Sequence, residues 1–92
     1  MTEDAVRRRV IAHGRVQGVF FRDSARERAN AHGVSGWVCN REDGAIEAVL
    51  EGTREAVERL VRFFETGPPQ ASVETVEIED EQPEGLSGFQ VR

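Results

Sequence analysis

The chain has no lysine and no tyrosine, one cysteine (Cys39), one tryptophan (Trp37) and two histidines (His13 and His32) among its 92 residues. A single cysteine cannot close an internal disulfide, and with no CxxC partner it argues against a structural zinc site and agrees with a reducing compartment. His13 and His32 are separated by a strand end and a helix and have no third ligand in the pattern, so the ligand set of a zinc centre is not met. No metal or other cofactor is expected. No run approaches the roughly 18 apolar residues of a helical membrane span, which excludes a membrane partner of that kind. The opening MTEDAVRRR lacks the apolar stretch of a secretory signal, and a cytoplasmic location is expected.

What is present describes a globular chain with 38% hydrophobic and 32% charged residues. Its length suits one domain over residues 1–92, with residues 1–5 as a flexible N-terminus. Seventeen acids against twelve cations give a net charge of -5, which speaks against a nucleic-acid partner. All the cations are arginine, a bias read as base composition rather than adaptation to high salt; full stability in dilute buffer would agree with that reading.

The punctuation predicts strand, helix, strand, strand, helix, strand. Val6 to His13 reads as a strand that stops at Gly14, although the adjacent Val10 and Ile11 spoil a clean alternation. Arg22 to His32 is rich in helix formers, with Ala25, Ala29 and His32 on one side and Gly33 as the stop. Val34–Asn40 and Ala45–Glu51 read as a hairpin around Asp43-Gly44. In its second strand Ile46, Ala48 and Leu50 form a dry face, and Glu47 and Glu51 a wet one. Thr53 can cap a second helix with Val57, Leu60, Val61 and Phe64 on one stripe, ended by Gly67-Pro68-Pro69. Val73 to Asp80 gives a strand with Val76 and Ile78 inward, and Gly88 to Val91 closes the chain. The order predicts an α+β, ferredoxin-like βαββαβ sandwich, an antiparallel sheet with two helices on one face. That architecture names no function.

One stretch invites chemistry: GRVQGVFFR, Gly14 to Arg22, between the first strand and the first helix. Glycines free of the Cβ restriction let successive N–H groups point into a concave nest, and a helix N-terminus adds its own unpaired donors and positive dipole end. Arg22 would bring a planar cation suited to phosphate or carboxylate. On spacing alone the stretch reads equally well as a plain turn, with Phe20 and Phe21 in the core and Arg22 solvated. Neither GxGxxG nor a nucleotide P-loop is present.

Gly14-Arg15-Val16-Gln17-Gly18-Val19-Phe20-Phe21-Arg22 closely resembles the acylphosphatase signature, and Gly36-Trp37-Val38-Cys39-Asn40 with Asp43-Gly44-Ala45-Ile46 resembles its second. The resemblance continues through Gly67-Pro68-Pro69-Gln70-Ala71-Ser72-Val73 and Gly88-Phe89-Gln90-Val91, nearly the whole chain. It implies a small hydrolase, a monomer by default, acting on small-molecule acyl phosphates. Arg22 and Asn40 would fall on the catalytic arginine and asparagine. Arg15, Val16, Gln17, Gly18, Val19, Phe20 and Phe21 would form a phosphate-binding loop working mainly through backbone N–H groups.

The chemistry suits such sparse equipment. The leaving carboxylate has a conjugate acid of pKa roughly 4, so no dedicated general acid is needed. Phosphoryl transfer depends mostly on positioning and preorganised charge. The alternative is an anion-binding module that holds phosphate without cleaving it. An RNA-binding module on a similar fold would want exposed aromatics and a basic sheet face, which Glu47, Glu51 and the net charge oppose.

Overall fold

The computed structural model describes residues 5–92, which fold into a five-stranded sheet with two helices. Of the expected flexible N-terminus, residues 1–4 lie outside the described residues, and Ala5 already opens the first strand. The elements are β1 (Ala5–Arg15), α1 (Phe21–His32), β2 (Ser35–Asn40), β3 (Ile46–Thr53), α2 (Arg54–Thr66), β4 (Ser72–Glu81) and β5 (Phe89–Val91). The sheet order β4-β1-β3-β2-β5 puts β3 at the centre between β1 and β2, the α+β ferredoxin-like arrangement expected from the sequence. One correction concerns the sheet itself: β5 pairs with β2 in parallel, Gly36 opposite Phe89 and Val38 opposite Val91, so the sheet is mixed. The loop after β4 carries the chain to the far edge, where the last strand runs in the same sense as β2.

β1 is the spine, antiparallel to β3 on one side and β4 on the other. Because side chains alternate in a strand, Val10 and Ala12 face the helices with their partners Ala48 and Ile46, while Arg7, Arg9 and Ile11 face away. This resolves the adjacent Val10 and Ile11: the two belong to opposite faces. α2 applies its stripe of Val57, Leu60, Val61 and Phe64 to the sheet, and all four are buried. Each large side chain fully buried in this way contributes about 1.5–3 kcal/mol. The Thr53 hydroxyl accepts the Ala56 N–H at 3.2 Å, so the expected cap is formed.

Four side chains depart from the sequence pattern. Phe20 is 70% exposed although its neighbour Phe21 is 2% exposed, so the pair does not enter the core together. His32 is exposed at the end of α1, past the buried stripe of Phe21, Ala25 and Ala29. Ile78 sits opposite Val10 on the helix face but is 43% exposed, because β4 is an edge strand. Glu51, expected on a wet face, is only 4% exposed. Its carboxylate accepts N–H groups from Glu84 (2.9 Å), Gly85 (2.7 Å) and Leu86 (2.9 Å), and so folds the loop after β4 over the end of β3.

Candidate functional site

Gly14 and Gly18 do different work. Gly14 belongs to β1, at a bulge against β4, where an added Cβ would collide with the Ser72 carbonyl. Gly18, at φ 73° and with open space around it, lies in the turn proper. The turn runs from Val16 to Phe20 and is anchored by its side chains: Val16 and Val19 are buried. Phe21 packs edge-on and tilted against Phe63 and Phe64, with ring centroids 5.4 and 5.3 Å away. Those contacts hold the start of α1 against α2.

A polar strut ties the turn to the hairpin. Gln17 donates through Nε2 to the carbonyls of Arg41 (2.8 Å) and Ala45 (3.0 Å). Both carbonyls belong to the connection between β2 and β3, directly after Asn40. That connection is itself tightly set. Arg41 grips Asp43 with Nε at 3.2 Å and Nη2 at 3.1 Å, and Asp43 accepts the Ala45 N–H at 3.0 Å. Paired with Arg41 and hydrogen-bonded by that N–H, the Asp43 carboxyl is held below its ordinary range. Asp43 makes the turn, as its place before Gly44 suggested.

The turn, the start of α1, the end of β2 and the start of β3 enclose a cavity of ≈ 320 Å³ lined by Val16, Gly18, Phe20, Phe21, Arg22, Asp23, Asn40 and Ile46. Arg22 and Asn40, eighteen positions apart in sequence, are thus neighbours across this space. α1 has no side-chain N-cap; its N-cap residue is Phe20, and the first internal bond is Ser24 N–H to the Phe20 carbonyl at 3.1 Å. The N–H groups of Phe21, Arg22 and Asp23 therefore lack helical acceptors. Donors of this kind, with the positive end of a helix, are chemically suited to an anion. Arg22 is half-buried, and its Nη1 donates to the main-chain oxygen of Arg92 at 3.1 Å.

Of the residues singled out in the sequence, Val16, Gly18, Phe20, Phe21, Arg22 and Asn40 line the cavity, whereas Arg15, Gln17 and Val19 do not. Arg15 ends β1, exposed and opposite Ser72. Asp23 and Ile46 line the cavity without having been anticipated. Asp23 could have been found as the acid in the first turn of α1, where it faces Arg26 at 3.6 Å. The side-chain role of Gln17 left no signal in the sequence, because its acceptors are carbonyls far along the chain.

His13 lies on the sheet, 2.6 Å from Glu77, and His32 on the far end of α1. Trp37 faces away from the helices, with the guanidinium of Arg92 4.5 Å and that of Arg9 5.6 Å from its ring centre. No helix among the described residues is long and apolar enough to cross a membrane.

A family model described as Acylphosphatase matches residues 8–91. The chain is 60% identical over 85 residues to an acylphosphatase of Rubrobacter xylanophilus, covering 91% of this chain and 77% of that one. It is 47% identical to one of Natronomonas pharaonis, with 97% of each chain covered. Among solved structures, an acylphosphatase from Coxiella burnetii superposes with a TM-score of 0.92 at 39% identity, covering 97% of this chain and 94% of that one.

Proposed function

The chain belongs to the acylphosphatase family and is a hydrolase of that class, and from this premise we propose that its cavity binds the phosphate of an acyl phosphate and cleaves the bond to the acyl oxygen. The observation that carries this is the meeting of Arg22 and Asn40 beside the uncapped start of α1.

In the proposed reaction the phosphoryl oxygens sit among the turn and helix N–H groups, with the Arg22 guanidinium adding a charge-assisted contact. The amide of Asn40 holds a water in line with the departing carboxylate. Water oxygen bonds to phosphorus as the bond from phosphorus to the acyl oxygen breaks; the products are carboxylate and inorganic phosphate. An amide is too weak a base to take the proton, so a phosphoryl oxygen accepts it. The carboxylate leaves unaided, since its conjugate acid is already strong. Catalysis then consists of positioning and fixed charge, as expected for a loose phosphoryl-transfer transition state. On binding, the Arg22 guanidinium would turn from the main-chain oxygen of Arg92 to the dianionic phosphate.

We infer that the protein acts as a monomer in the cytoplasm on small acyl phosphates, without nucleic acid. The reaction is tested with Arg22→Ala: loss of inorganic phosphate affinity together with a fall in kcat/KM of roughly 100-fold or more is expected. Unchanged phosphate affinity in that variant would contradict the assignment.

A further inference from the structure

Phe20 carries two costs that the fold does not recover. Its backbone sits at φ 63°, ψ 25°, a left-handed conformation uncommon for bulky residues. The residue is 70% exposed, so the burial a phenylalanine usually brings is forgone. The ring takes no part in the cluster of Phe21, Phe63 and Phe64, and the residue offers α1 no side-chain cap. Strain and exposed apolar surface that coincide at a cavity point to a role in binding.

The cavity leaves that role open. Val16, Phe21 and Ile46 line it yet are buried, at 1%, 2% and 1% exposure, and Gly18 has no side chain. Phe20 is the one lining residue with apolar surface to spare. In-line displacement puts the attacking water and the departing acyl group on opposite sides of phosphorus. Asn40 comes from the end of β2, and Phe20 from the junction of the turn with α1. Asp23 adds a carboxylate to the cavity, partnered by Arg26 at 3.6 Å, and the Phe20 ring offers an anionic acyl group no counter-charge.

Resting on the acylphosphatase reading above, we propose that the Phe20 ring is the platform for the acyl group, selecting aromatic or extended apolar acyl phosphates over small or anionic ones. The ring stacks on or along the acyl moiety while the cradle holds the phosphate end common to every substrate.

The test compares kcat/KM for benzoyl phosphate and acetyl phosphate in the wild type, Phe20→Asn and Phe20→Tyr. Asparagine enters the left-handed region readily, so the turn is kept while the ring is lost. Absolute rates can shift with the turn; the ratio between substrates isolates the ring. In Phe20→Asn the benzoyl to acetyl ratio should fall about tenfold, chiefly through KM for benzoyl phosphate. In Phe20→Tyr it should hold. Thermal unfolding of Phe20→Asn should occur no lower than in the wild type, and Phe20→Gly provides a second ring-free variant if it does. An unchanged ratio in the ring-free variants, or an equal fall in Phe20→Tyr, would overturn the platform while leaving hydrolysis intact. A wild type that cleaves neither substrate would instead overturn the acylphosphatase reading.

Discussion

Gln17 meets the hairpin through one amide group that serves two carbonyls, and no other polar side chain among the described residues joins the turn to the segment after Asn40. Replacing it by glutamate would aim a carboxylate at two carbonyl oxygens, so Gln17→Glu should lower kcat/KM at least about tenfold while inorganic phosphate still binds to the turn. Kinetics and phosphate inhibition measured on the same preparation separate the two quantities. At this scale the sequence was legible where a residue's role is local. Asp43 before Gly44 announces a turn, and Thr53 before a helix announces a cap. It was illegible where two identical residues stand side by side. Nothing in Phe20-Phe21 says which ring turns outward, because that depends on the left-handed step at Phe20 and on Phe63 and Phe64 more than forty residues later.

Among the elements, β3 shows how a tertiary partner overrides the alternating pattern. Glu51 reads as solvent-facing until the loop at residues 84–86 arrives over it. Burial alone would raise its carboxyl, but the three N–H donors and Arg7 at 3.6 Å outweigh that and hold it below its ordinary range. A carboxyl whose folded pKa is lowered stabilises the fold fully above its unfolded pKa of about 4.3, and that stabilisation disappears as pH falls through the folded value. Glu51→Gln should therefore cost about 2 kcal/mol at neutral pH, or roughly 10 °C in Tm, with the difference from wild type shrinking below about pH 4. Thermal melts across that range check both the size and the sign. β1 gives a second expectation: in Gly14→Ala the new methyl has to displace the Ser72 carbonyl at the bulge, so β4 should loosen. A loss of about 3 kcal/mol or more is expected from denaturant unfolding. The edge position of Ile78 and the parallel pairing of β5 were out of reach of local patterning, since both depend on where a strand lies in the sheet and not on its own residues.

For the molecule as a whole, the order of elements was legible and sufficed for the ferredoxin-like arrangement, because hydrophobic period, caps and glycine stops agree along most of the chain. What a linear reading of the residues cannot supply is the convergence of the site. β1 and β3 are neighbours and β2 lies beside β3, so the turn after β1 and the end of β2 fall at the same end of the sheet. That places Arg22 and Asn40 around one cavity. In the proposed mechanism the two have separable tasks, Arg22 in phosphate binding and Asn40 in holding the water. The most direct measurement is metal-free hydrolysis of benzoyl phosphate, with chelator present, by the wild type and Asn40→Ala, alongside inhibition by inorganic phosphate. The expected result is rapid turnover by the wild type, a fall of roughly 100-fold or more in Asn40→Ala, and nearly equal phosphate inhibition in both. Turnover unchanged by the substitution, or phosphate affinity lost with it, would contradict the account.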